Sequence, residues 1–205
     1  MANLPPTKGN LIAAKRSRAL AKNGYELMDK KRNILIRELM GLVDRAHELQ
    51  ARIDNTFSEA YAAFKDASVS MGGCRDVADA MPVDNSVRVR YRSVMGVEMP
   101  TVTARATDTS VLPYGFTDTT SALDEAYVKF ADVKALCIEL AEVENCIYRL
   151  AYSIKKAQKR ANALSNIVIP GLDVDINRIS DELEEKEREE FVRQKVIKAQ
   201  KKAKQ

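Results

Sequence analysis

Two apolar stripes at coiled-coil spacing, held apart by a proline- and glycine-marked segment, constrain this chain more than any other feature. The first runs Leu35, Leu39, Leu42, Ala46, Leu49, Ile53, Thr56, Ala60, Ala63, Ala67; its steps alternate four and three, and Thr56 is its one polar member. The second runs Leu136, Leu140, Val143, Ile147, Leu150, Ile154, Ala157, Ala161, Leu164, Val168 with the same alternation. A stripe repeating every ~3.5 residues keeps one seam of a helix turned toward a partner helix along its length. Two stripes in one chain close most simply as an antiparallel hairpin. The expected fold is all-α, a long antiparallel two-helix coiled coil with a small β-hairpin-containing insert between the helices. Composition fits such a rod: of 205 residues, 30% are charged and 6% aromatic, with no Trp, as a narrow seam with much solvated surface requires.

The expected segments are 1–71, an N-terminal coiled-coil helix; 72–120, the insert; and 121–205, a C-terminal coiled-coil helix kinked near Pro170. Pro5 and Pro6 place the first helix start near Thr7 to Asn10, and Gly72-Gly73 stop it after Met71. Upstream of Leu35 the seam is expected to continue through Ala13, Ser17, Leu20, Gly24, Leu27 and Lys31, with a one-residue slip between Leu27 and Leu39. Within the insert, Val87, Val89 and Tyr91 alternate with Arg88, Arg90 and Arg92, a strand with one apolar and one basic face. Gly96 then turns the chain into a hairpin whose apolar face is expected to rest on the coil or on another protein. The second helix starts near Ser121, and its pattern resumes beyond Pro170 at Leu172, Ile176, Ile179 and Leu183, so the helix continues through a kink. Equal rise on both helices, ~1.5 Å per residue, sets Leu42 near Ile147, Lys15 near Asp173 and Leu4 near Glu184. Residues after about Lys186 then lack a partner helix, and the tail from Phe191 to Gln205 is expected to order only inside a complex.

The chemistry of catalysis is missing from this pattern. His47 is the one histidine and flanks the seam, and the cysteines Cys74, Cys137 and Cys146 have no metal-ligand spacing, so no metal or other cofactor is expected. They read as reduced cytoplasmic thiols. Pro6-Thr7-Lys8-Gly9 lacks the order of a phosphate loop, and the acidic run Asp181 to Glu190 alternates with Lys186 and Arg188 as a solvated helix face does. No nucleophile, base and orienting group belong together, so the chain is not expected to be an enzyme. No apolar run approaches the ~20 residues that cross a bilayer, and the start of the sequence lacks the layout of a secretory signal. Basic residues cluster at Lys15, Arg16, Arg18 and Lys22, then at Lys30, Lys31 and Arg32, and again from Arg193 to Lys204. They surround the helix without an aromatic platform and the net charge is only +4, which argues against nucleic acid.

The two ends and the insert resemble one family. Pro6 to Leu11 (Pro-Thr-Lys-Gly-Asn-Leu) with Gly24 to Arg32 (Gly-Tyr-Glu-Leu-Met-Asp-Lys-Lys-Arg) resembles the N-terminal signature of the D subunit of V-type and archaeal-type ATPases. Val94 to Val97 (Val-Met-Gly-Val) with Pro100 resembles its middle segment. Asn162-Ala163-Leu164, Ile169-Pro170 and Glu187 to Phe191 resemble its C-terminal signature, although Gly171 stands where the family usually has a bulky or basic residue. The resemblance implies a central rotor axle without catalytic residues, coupling ATP hydrolysis or synthesis to rotation of a membrane ring and to H⁺ or Na⁺ transport. It implies as partners the catalytic and non-catalytic subunits of a hexamer, the small F subunit of the central stalk and a funnel-like subunit above the ring, in a cytoplasmic complex peripheral to the membrane. Expected partner-binding residues are Lys15, Arg16, Arg18, Arg88, Arg90, Arg92, Phe191, Arg193 and Lys195. A coiled coil that binds nucleic acid or an anionic surface, or a static secretion-apparatus stalk, is the alternative reading, in which the basic ends are free or the quoted motifs have no role.

Overall fold

The computed structural model describes residues 5–109, 111–115, 117 and 119–203. The expected neighbourhood of Leu4 and the last two residues of the tail lie outside them. The elements in order are α1 (Lys8–Met71), α2 (Arg75–Ala80), β1 (Arg88–Val94), β2 (Val97–Thr103), α3 (Ser121–Ala163), a π-helical turn (Leu164–Val168) and α4 (Ile169–Ala203). The fold is thus a helical coiled coil with a two-stranded β-hairpin insert.

Helix ends follow local chemistry. The Thr7 hydroxyl accepts the Asn10 N–H at 3.2 Å, satisfying one of the free donors at the start of α1. At the other end, Gly72 (φ 71°) and Gly73 (φ 149°) take left-handed conformations that side chains resist, so the helix stops there. In the hairpin, Met95 (φ 52°) and Gly96 (φ 74°) form a two-residue turn with both φ positive, which matches the twist of the flanking strands.

Contacts divide the chain into two compact units, residues 34–154 and residues 1–33 with 155–205. In the first, α1 and α3 run antiparallel, as the Arg45–Glu139 ion pair and the Ser70–Thr120 hydroxyl contact at 3.2 Å show. One core joins Leu35, Cys146 and Leu150 to Val97 and Met99 of β2, with Leu39, Leu42, Val94 and Ile154 packed around them. Leu49, Ile53 and Val143 are buried, whereas Leu136, Leu140 and Ile147 are half-buried. Thr56 turns its hydroxyl back to the Arg52 carbonyl at 2.8 Å, so its polarity costs the seam little. Toward the insert the seam narrows to Ala60, Ala63 and Ala67, and a second cluster gathers Ala67, Tyr114 and Leu123 with Val77 and Met81 around α2. Helix α2 is not foreseen from the sequence, because its six residues are too few for periodicity to register.

In the second unit α1 runs antiparallel to the end of α3, the π turn and α4. The ordered contacts are Arg32 with Gln158, Gly24 with Leu164, Arg18 with Asp173 and Lys8 with Glu187. Here one expectation fails. The covered side of α1 holds Leu11, Ala14, Arg18, Ala21, Met28 and Arg32, continuing the four-three alternation from Leu35 through Tyr25 without a slip. Leu20 and Leu27 point outward, 74% and 63% exposed, and Ala13 and Ser17 are exposed as well. The heptad register therefore prevails over side-chain apolarity, because long arginine stems lie along the seam and deliver their charge to its rim. Arg32 donates to Gln158 at 2.7 Å and pairs with Asp29 at 2.6 Å, and Arg18 pairs with Asp173. Lys15, expected beside Asp173, lines the same depression.

The helix also adapts before Pro170. Across Leu164–Val168 the backbone widens to π bonding, with the Ile169 N–H reaching the Leu164 carbonyl five residues back. An α-helix would press the proline ring onto the Asn166 carbonyl, and the wider turn supplies room. Beyond it Ile179 is fully buried, and from Glu184 to Lys202 every side chain is exposed.

Candidate partner-binding surfaces

Three surfaces gather the residues that the sequence singles out. On the first, in the unit of the chain ends, Lys15 and Arg16 are exposed while Arg18 is tied to Asp173. Beside them Ala13, Ser17, Leu20, Gly24, Leu27 and Lys31 form a stripe that itself steps four and three. α1 thus carries two heptad stripes, and among the described residues Ala13, Ser17, Leu20 and Leu27 of the second are exposed. Gly24 stands half-buried at the border of the two, where an added Cβ would meet Leu164 Cδ1 at 3.7 Å, ordinary contact.

The second surface is the hairpin. β1 pairs antiparallel with β2, placing Arg92 beside Met99, Val94 beside Val97, Tyr91 beside Pro100 and Val89 beside Val102. Met99 and Val97 are the buried pair, so the face shared with the arginines is the one that meets the helices. Val87, Val89 and Tyr91 do not rest on the coil; all three are exposed. The Arg149 guanidinium lies over the Tyr91 ring at 5.3 Å, a cation–π contact at the strand's rim. Arg88, Arg90 and Arg92 are exposed, and among the described residues no carboxylate lies within ion-pair reach of them.

The third is the tail of α4. Phe191, Val192, Val196 and Ile197 are each at least half exposed. Their neighbours are intrahelical: Lys195 Nζ stands 4.9 Å from the Phe191 ring centre, and Arg193 pairs with Glu189 at 3.4 Å. Beyond Glu187, which Lys8 meets at 2.8 Å, α4 makes no ion pair or hydrogen bond to another element among the described residues.

A surface that sequence reasoning missed lies near the insert. Phe57 stacks on Tyr61 at 5.8 Å, and Tyr61 and Phe64 meet Phe130 edge-on at 5.6 and 6.0 Å. Tyr61 and Phe64 remain exposed. Four aromatics in a chain so poor in them are the signal that marks this patch.

The shifted titratable groups near the insert take part in structural contacts. Asp84 is held down to about 2 by the Lys134 ammonium and by Ser86. Burial and then the hydrogen bond to Asp124 push Tyr114 up, and burial pushes the Cys146 thiol up. These groups clamp the insert to the helices: Tyr114 donates to Asp124 at 2.7 Å, and the Cys146 thiol donates to the Pro100 carbonyl at 3.3 Å. Among the described residues no three His, Cys, Asp or Glu side chains gather as metal ligands, and no helix is long and apolar enough to cross a membrane.

A helical coil whose own seam is closed, but which leaves a second stripe, a strand and an amphipathic tail largely exposed, is the architecture of a protein that works inside an assembly. Comparison with known proteins identifies which. Residues 10–199 match the model of the family described as the D subunit of ATP synthase, and the chain belongs to that family. It is 41% identical to the V-type ATP synthase D subunit of Thermotoga neapolitana over 96% of this chain and 97% of that one. It is 36% identical to the A-type ATP synthase D subunit of Pyrococcus abyssi over 96% and 94%. It is 37% identical to the A-type ATP synthase D subunit of Methanopyrus kandleri over 94% and 84%. Membership places its partners in an ATP synthase complex.

Proposed function

We propose that this chain is the central rotor axle of a V/A-type ATPase or ATP synthase. In this reading both chain ends stand in the bore of a hexamer of alternating catalytic and non-catalytic subunits. The remainder binds the small F subunit of the central stalk and seats on the funnel-like subunit above a membrane ring, and the whole is cytoplasmic and peripheral to the membrane. The chain holds no nucleotide and carries out no chemistry. Its rotation biases each catalytic site in turn, so ATP hydrolysis or synthesis is coupled to H⁺ or Na⁺ transport through a mechanical intermediate.

The observation that carries the reading is the exposed α4 tail within a chain matched to its family almost end to end. A lone helix bearing Phe191, Val192, Val196 and Ile197 is marginal in water, and a protein sleeve supplies the burial it lacks. Arg193 and Lys195 flank the apolar positions of the tail, Lys15 and Arg16 are exposed farther along the same unit, and all four suit acidic collars on that sleeve, while the aromatic patch of Tyr61 and Phe64 suits the seat at the other partner. A reducible cross-link from a Lys195→Cys variant to one catalytic subunit tests rotation. It should stop ATP turnover, and reduction should restore it; turnover that continues through the cross-link would mark a static stalk.

A further inference from the structure

The two edges of the hairpin differ in their surroundings. α3 covers the outer edge of β2 with side chains: Glu142 accepts the Val102 N–H at 2.7 Å, Cys146 donates to the Pro100 carbonyl at 3.3 Å, and Arg149 donates to the Glu98 carbonyl at 3.2 Å. Glu142, Cys146 and Arg149 stand four and three apart, one helical stripe laid along a strand edge. Pro100 lies on that edge, where its missing N–H leaves no ladder bond unmade.

The register then fixes what the other edge presents. In an antiparallel pair, residues whose backbone groups point away from the partner strand face one another in alternate pairs. Glu98, Pro100 and Val102 point outward, and they pair with Ser93, Tyr91 and Val89. The N–H and C=O groups of Val89, Tyr91 and Ser93 therefore point out from β1. Among the described residues no hydrogen bond from another element reaches them, and Arg88 to Ser93 are all exposed.

Free edges of this length are usually blunted by proline, a bulge or a covering helix. β1 has none of these, and its seven residues pair without a break. It has only charge, Arg88, Arg90 and Arg92 in one row. That row repels a second copy of this strand and attracts carboxylates spaced two residues apart.

We propose that the free edge of β1 takes an extended acidic segment of another protein as a third strand, with alternate carboxylates facing Arg88, Arg90 and Arg92 and apolar side chains beside Val89 and Tyr91. A nucleic-acid strand meets the arginines but cannot complete the amide ladder, so a polypeptide is the better fit. The inference rests on the reading of this chain as a component of an ATPase complex.

Residue-resolved hydrogen exchange on the free chain and on the chain assembled with the other ATPase subunits tests it. In the free chain the Val89, Tyr91 and Ser93 amides should exchange fast while those of Arg90 and Arg92, inside the ladder, are protected. Assembly should slow the three outward amides on the order of a hundredfold. Val89→Pro removes one outward N–H and leaves the β1–β2 ladder whole, so it should abolish protection at Tyr91 and Ser93, whereas Val89→Ala should keep it. Ladder protection of Arg90 and Arg92 in both free variants checks that the hairpin folds. Assembly with all three amides still fast, or protection that survives Val89→Pro, overturns strand docking alone. A chain that does not enter the complex overturns the underlying reading and the docking with it.

Discussion

The unit of residues 34–154 and the unit formed by the chain ends use the same helical repeat with different contents. In the first, the seam is filled by Leu35, Leu49, Ile53, Val143 and Leu150 and thickened by Val97 and Met99 from the hairpin. In the second, the buried seam residues are Ala14, Ala21, Ala157 and Ala161 with Ile179, interrupted by Arg18 and Arg32. A fully buried Leu contributes ~1.5–3 kcal/mol by leaving water and an Ala far less. The first unit's seam is thus closed by large side chains, whereas the second closes mostly over alanines and leaves Leu20, Leu27 and Phe191 among its exposed apolar groups.

The largest effect that can break this contrast is in the leucine-rich seam. Leu150→Ala, at a fully buried position, should destabilise the isolated chain by ~2–5 kcal/mol, read as a shift in the denaturant midpoint. Ala21→Gly on the other seam should cost only ~1 kcal/mol, mostly helix propensity. Equal losses would mean that the two units do not differ in self-sufficiency.

Next come the outward leucines. The double variant Leu20→Ser, Leu27→Ser should change the stability of the isolated chain by no more than about 1 kcal/mol, since both side chains are solvated. In the complex the same change should weaken association by roughly tenfold or more, as loss of two apolar anchors does. Titration of assembly with unlabelled chain checks it; an unchanged affinity would show that the second stripe stays bare.

These two regions also show how far the sequence could be read. From Leu35 onward large apolar residues occupy the heptad positions, so periodicity and burial agree and the coil is legible. Upstream, Arg18, Tyr25 and Arg32 occupy those positions, and hydrophobicity alone pointed to Leu20 and Leu27. Heptad phase carried forward from Leu35 contains the right answer, because a continuous helix does not change phase without cause. The insert was legible as a hairpin from Arg88 to Val102, yet alternation says only that two faces differ. Which face is covered is decided by Val97 and Met99 across the ladder, a tertiary fact. Pro170 marked the place of an irregular helix, but the π turn lies just before it, because a proline acts on the carbonyl four residues back. In the aromatic patch Phe57, Tyr61 and Phe64 step four and three along α1, a pattern the sequence does show, whereas their meeting with Phe130 of α3 is a tertiary fact.

A smaller effect sharpens the contrast within the weaker unit. Gly24→Ala adds a methyl that meets Leu164 at ordinary distance and removes the propensity penalty of glycine. The isolated chain should gain up to ~1 kcal/mol, visible as a higher melting temperature. Any loss in assembly that accompanies this gain would show that a partner approaches the α1 backbone at Gly24.

The smallest effect is acid sensitivity, and it separates the units by the surroundings of two carboxylates. Asp84 is lowered from 3.8 to about 2 by the Lys134 ammonium, then by the Ser86 side chain and the Ser86 N–H, which donates at 2.8 Å. Glu187, in the other unit, is lowered by the hydrogen bond from Lys8. A carboxylate depressed in the folded state contributes its full stabilisation above its unfolded value and loses it as pH falls through the folded one. For Asp84 the loss therefore runs from about pH 4 down to about pH 2, and it should loosen the start of the insert where Lys134 also donates to Thr107 at 3.3 Å. Both groups are solvent-exposed, so added salt should shrink both effects, more so for Glu187, which has one charged partner and no backbone donor. Carbonyl chemical shifts of the two side chains across that range, at low and high salt, check the order. Asp84→Asn should remove the insert's response to acid in this window and leave that of Glu187 untouched. If instead the Glu187 shift were the more salt-resistant, the helix ends would be the better-buttressed region, and the ranking of the two units would have to be reversed.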